Sequence, residues 1–201
     1  LETWPLSSHG NFGTAGDNAD AITPDIHNHN GAQLADVQSH HTGALEMNVD
    51  RFLDGVRAGA EKAGVFAEVK IDRGMLTCAA RDAAEPAWYR LEPSESSSRG
   101  WRVALVTPNR WLSESIEADL MHHGDPIEEL IEEELSEQGY AGEALPVKHF
   151  RSDDMMYTFV SPLPIESDAD DDQAIRTATQ CLLAYEAAFR ELGDMSGGEE
   201  E

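Results

Sequence analysis

His122 and His123, flanked by Asp119 and Asp125, form the best metal-capable set in this chain of 201 residues. Imidazole nitrogens with carboxylate oxygens suit zinc or a similar cation, so a metal-dependent enzyme built on these four residues is one reading. Neighbours on a helix point about 100° apart, which keeps two adjacent histidines from sharing one ion while the helix continues through them. The competing reading is a helix C-terminus whose imidazoles meet the last carbonyls and the negative end of the dipole. His27, His29, His40 and His41 lie in a segment without the Cys or Glu spacing of a zinc loop and read as a solvated tail. The acidic run Asp168–Asp172 lacks the alternating oxygen ligands, central glycine and terminal glutamate of a calcium loop, and reads as helix capping. No serine sits in a Gly-x-Ser-x-Gly elbow, and no glycine stretch matches a phosphate loop. A serine, histidine and acid triad would have to come from scattered positions. His149, beside Phe150 in a strand pattern, reads as structural, and Arg110 is expected to pair with Glu114 one turn on. The catalytic set is therefore empty, and no cofactor is expected.

The elements that must position these side chains follow from periodicity. Residues 1–46 hold five of the eight histidines, no Lys or Arg and no sustained pattern, so they read as a disordered or non-native extension before a fold starting near Met47. Asn48 is a helix cap, with Phe52, Leu53, Val56 and Ala60 on one face and Gly64 as the stop. Alternation of Val65, Ala67, Val69 and Ile71 with polar residues predicts a strand. Asp72-Arg73-Gly74 turns it into a second strand, 75–80, followed by strands at 87–92 and 101–107 in an antiparallel meander. Thr107-Pro108 predicts a helix start, with Trp111, Leu112, Ser115, Ile116 and Leu120 sharing a face. Asp125-Pro126 repeats the device, with Glu128 closing a capping box over a helix that carries Ile127, Leu130, Ile131 and Leu135. Two strands, 147–150 and 155–160, precede a long helix with Ile175, Ala178, Leu182, Tyr185, Phe189 and Leu192 in one apolar stripe. The expected fold class is α+β: an antiparallel sheet of about four to six strands packed by an N-terminal helix, central helices and a long C-terminal amphipathic helix. One domain spans 47–193, and 194–201 is an acidic tail.

Charge bounds the partners. The chain has 39 acids against 14 bases, a net charge of -25. Six of the acids precede Met47, so 33 acids face 14 bases from there on, and the charge belongs to the folded unit. Eleven of the bases are arginine and three are lysine. Such a balance disfavours nucleic acid and anionic lipid as partners. It also predicts a surface that needs salt: the Debye length falls from about 10 Å at 0.1 M to about 3 Å at 1 M, which mutes self-repulsion. No apolar run reaches the ~20 residues of a membrane span, and Cys78 and Cys181 sit in apolar patterns that predict buried free thiols. The expected location is the cytoplasm.

The acidic excess with few lysines resembles proteins of salt-in halophilic archaea. The element order from Met47 to Leu192 resembles the type III secretion chaperone fold and the related YbjN family, in which a last strand pair feeds an amphipathic C-terminal helix. This resemblance rests on element order and implies a homodimeric, protein-binding or regulatory module without an active site. Its candidate partner surfaces are the apolar stripes around Trp111, Ile116 and Leu120 and around Leu182, Tyr185 and Phe189. Burial of each against the chain's own sheet is the alternative. A small-molecule sensor, a third class, would need a pocket between sheet and helices.

Overall fold

The computed structural model describes residues 47–94, 100–166 and 169–196, all within one compact unit; the readings placed on residues 1–46 lie outside them. Four helices and six strands follow in the order α1 (Val49–Ala63), β1 (Glu68–Asp72), β2 (Met75–Ala79), β3 (Trp88–Pro93), β4 (Trp101–Thr107), α2 (Arg110–His123), α3 (Ile127–Glu137), β5 (Lys148–Arg151), β6 (Tyr157–Pro162) and α4 (Asp171–Arg190). The strands form one antiparallel sheet in the order β1-β2-β3-β4-β6-β5, which makes the fold α+β.

Local chemistry accounts for most boundaries. The Asn48 carboxamide accepts from the Arg51 amide at 3.0 Å to start α1, and Gly64 closes it in the left-handed region. Asp72 pairs directly with Met75, so Arg73 and Gly74, at φ 51° and 73°, make a two-residue turn whose twist matches the strands it joins. At α2 the expected start is displaced. Thr107 is the last residue of β4, and its hydroxyl donates to the Pro86 carbonyl at 2.8 Å and accepts from the Asn109 amide at 3.1 Å. Asn109 is the cap instead, accepting from the amides of Trp111 at 2.7 Å and Leu112 at 3.2 Å. The start of α3 moves in the same way. Pro126 is the capping position, without a side-chain bond, and Glu128 falls one position too early to reach back. Its carboxylate accepts from the Val147 amide at 3.3 Å, tying α3 to the chain entering β5.

Helices α1, α2 and α4 pack on one face of the sheet, and α3 packs against α4 in the same core. The row Val69-Cys78-Tyr89-Leu105-Phe159-His149 runs across it beneath α4. Helices α1 and α4 run side by side in the same direction, with Arg51 paired to Asp171 and Asp172 at their first turns. Gly55 and Gly59 let them approach: a Cβ at Gly55 would lie 2.6 Å from Ile175, and one at Gly59 would lie 2.7 Å from Thr179. Both cysteines are buried free thiols, and burial pushes each up to about 12. The fold continues past Gly193 into a 3-10 turn, Gly193–Ser196, that buries Met195. None of the described helices is long and apolar enough to cross a membrane.

Candidate functional site

The opposite face of the sheet carries a different set of side chains. Its central row reads Lys70-Thr77-Arg90-Ala104-Val160-Lys148 from edge to edge, and the adjacent row reads Glu68-Ala79-Trp88-Val106-Thr158-Phe150. Ala104, Val106 and Val160, all buried, with Trp88 and Met156 against them, form a second apolar cluster to which none of the described helices contributes. Phe150 is 41% exposed at the edge of this surface. A groove of about 540 Å³ lies here, lined among others by Arg90, Arg102, Val106, Phe150 and Thr158 and bounded by the β5–β6 turn with Asp153 and Asp154. Arg102 is held by Glu92 at 2.8 Å, whereas no ion pair among the described residues involves Arg90. The Arg90 Nε is buried and is the single such side-chain nitrogen or oxygen without a hydrogen-bond partner among the described residues. A buried, unpaired guanidinium donor is costly and therefore rare.

The residues singled out from the sequence fall elsewhere. His122 and His123 close α2 before Gly124, with their rings edge to face at 5.6 Å. The His123 Nδ1 lies 2.9 Å from the Asp119 carbonyl, and the Asp119 carboxylate accepts from the Gly193 amide at 2.6 Å. Asp119 thus fastens the segment after α4 to α2, and Asp125 is exposed in the turn after α2. No group of three or more His, Cys, Asp or Glu side chains among the described residues is placed to hold a metal ion. Of the six apolar candidates, Ile116, Leu182, Tyr185 and Phe189 are fully buried and Leu120 is half-buried. Trp111 alone is exposed, at 72%, because the buried face of α2 runs through Leu112, Ser113 and Ile116 and leaves it outside.

One triad-like contact escaped sequence reasoning. Ser113 Oγ lies 3.1 Å from His149 Nε2, and His149 Nδ1 lies 3.5 Å from the Glu117 carboxylate. The Ser113 hydroxyl also reaches Glu117 at 3.4 Å, and the imidazole stacks on Phe159 at 3.9 Å. Burial lowers the affinity of His149 for a proton, and Glu117 partly opposes this. Ser113 is 0% exposed, so no acyl substrate can approach its oxygen. The contact joins α2 to β5 and leaves His149 structural.

A cleft of about 330 Å³ between the sheet and α4 is lined by Tyr89, Arg81, Glu186, Arg190 and neighbours. Three of its four charged side chains, Arg81, Glu186 and Arg190 but not Asp82, are already engaged. Arg190 holds Glu186 at 3.1 Å, and Arg81 donates to the carbonyls of Gly64, Val65 and Phe66 at the end of α1. Burial raises the pKa of Glu186 and of Tyr89.

No family model, curated protein or solved structure matches this chain. The fold class and the two faces of its sheet therefore define it.

Proposed function

We propose that this chain is a non-enzymatic, protein-binding or regulatory module, chaperone-like in character and adapted to a salt-rich cytoplasm. Its docking surface is the face of the sheet that none of the described helices packs. The observation that carries this reading is the apolar cluster of Trp88, Val106, Val160 and Met156 on that face, continued by the exposed Phe150. Val106 and Val160 are buried and Trp88 and Met156 half-buried, so the surface a partner would meet is Phe150 with the outer parts of Trp88 and Met156. The homodimer implied by the element order belongs to the same reading and uses another surface, since a twofold axis on this face would bring its row of cations onto itself.

Immobilised parent and a Trp88→Ala/Phe150→Ala variant, exposed to native cytosol at molar salt, test it. The parent is expected to retain a specific protein that the variant releases. Retention of the same proteins by both would remove this face from consideration.

A further inference from the structure

The cleft between the sheet and α4 lies on the other side of the sheet from the docking surface, and its lining charges balance. Arg81 and Asp82, both exposed, line it from the loop after β2, and Glu186 and Arg190 line it from α4. Tyr89 enters it from β3: it is 1% exposed, and its hydroxyl makes no hydrogen bond among the described residues. That oxygen lies in the field of both Glu186 and Arg190. Tyr185, equally buried, spends its hydroxyl on Ser161. A buried phenol normally has a partner, so the Tyr89 hydroxyl marks a place where one is missing. The arginines also hold donors in reserve. Arg81 meets three carbonyls through Nε and one Nη, and Arg190 meets Glu191 through Nε and Glu186 through one Nη, which leaves the second Nη of each without an acceptor among the described residues. Negative charge gathers at the α4 end, where Glu134 and Glu191 act on Glu186 against Arg190 alone.

We infer that this cleft binds a small zwitterion of the α-amino acid type, with its ammonium between the Glu186 carboxylate and the Tyr89 oxygen, its carboxylate on the unspent Nη of Arg81, and its side chain against Val65 and Ala80. The inference goes beyond the docking reading and stands or falls separately from it. Charge selects the class. The lining offers two cations and two carboxylates, so a net anion would lie beside Asp82 and Glu186 in a chain of charge -25, and a plain cation would face Arg81. A zwitterion answers both ends. Its ammonium brings three donors to the lone pairs that Arg190 leaves on Glu186, and the Tyr89 hydroxyl accepts from it while donating to the carboxylate of the same molecule. The bond from Arg81 to that carboxylate is charge-assisted. Val65 and Ala80 are half-buried and leave apolar surface for a side chain. A volume of about 330 Å³ stands at the lower end of small-ligand clefts.

The test is an amide chemical-shift titration of the labelled full chain, near neutral pH and at molar potassium chloride, where long-range attraction is screened and contact pairs persist. Three probes are compared: leucine, isopentylamine, which lacks the carboxylate, and 4-methylpentanoate, which lacks the ammonium. Leucine is expected to shift the amides of Val65, Arg81 and Tyr89 saturably and to bind about tenfold tighter than either analogue, the ratio of one charge-assisted contact. Glu186→Gln is expected to abolish the preference over 4-methylpentanoate and to keep that over isopentylamine. Tyr89→Phe, which keeps the ring 5.7 Å from Phe66, is expected to weaken leucine about fivefold. Amides remote from the cleft report that both variants stay folded. Isopentylamine binding as tightly as leucine would make this a site for plain cations and overturn the inference. An equal affinity for 4-methylpentanoate, a preference that survives Glu186→Gln, or no saturable shift at those amides would overturn it too. None of these outcomes involves Trp88 or Phe150, so the cytosol experiment decides the docking reading on its own.

Discussion

Tyr185 was a candidate for partner contact, and its hydroxyl tests whether it belongs to the core instead. Tyr185 and Ser161 are both 0% exposed, and their oxygens lie 2.5 Å apart between α4 and β6. Either hydroxyl can donate. Tyr185→Phe keeps the ring beside Phe189, at 5.4 Å between centroids, and removes only the oxygen. Ser161 is then left buried without a partner, which costs about 1–3 kcal/mol. Ser161→Ala strands the phenol in the same way. The double variant removes both polar groups, so its loss should fall short of the sum of the two singles by about 1–2 kcal/mol. In a chain of this size each kcal/mol corresponds to about 2–4 °C in melting temperature. Urea unfolding at fixed molar salt, followed by tryptophan fluorescence, measures all four proteins. Additive losses would show that the two hydroxyls do not share a bond. Singles that each cost less than about 0.5 kcal/mol would show that water reaches this site.

Three further outcomes follow from the same structure. The unfolding midpoint should rise from dilute buffer to molar salt, and equal stability in both would overturn the salt-adapted surface. Burial raises the pKa of Glu186 and of Glu134 above their ordinary 4.5, so both states are protonated well below that value and stability falls as pH rises from it through the folded pKa values. Glu186→Gln should flatten that slope, and an unchanged slope in denaturation curves collected from pH 4 to 7 would count against it. Gly193 lies at φ 52°, and a Cβ there would meet the Ser115–Ile116 backbone at about 2.7 Å. Gly193→Ala should therefore destabilise by about 1–3 kcal/mol, whereas Gly74→Ala, with open space around it, should cost less in the same unfolding assay.

Local signals were legible where they were strong and consecutive. The α1 cap at Asn48, the Arg73-Gly74 turn and the apolar stripe of α4 all depend on neighbours within a few positions, and all appear as expected. Two helix starts were displaced because a competing bond claimed the predicted capping group or shifted its register. Thr107 was committed to Pro86 and Asn109, and Pro126 moved α3 by one residue. The docking face was illegible for a different reason. Arg90 and Lys148 come to lie in one row across the sheet only through strand register, with β6 inserted between β4 and β5. No periodicity along the chain encodes that pairing. The close approaches at Gly55 and Gly59, and the contact of Ser113 with His149, are long-range in the same sense.

Oxidative footprinting in native cytosol tests the docking face most directly, because both sides of the molecule carry oxidisable markers. Trp88 and Met156 mark the docking face, while Trp111, 72% exposed, and Met121, 85% exposed, mark α2. The account predicts that cytosol protects Trp88 and Met156 relative to the purified protein and leaves Trp111 and Met121 unchanged. Protection confined to Trp111 and Met121 would contradict it.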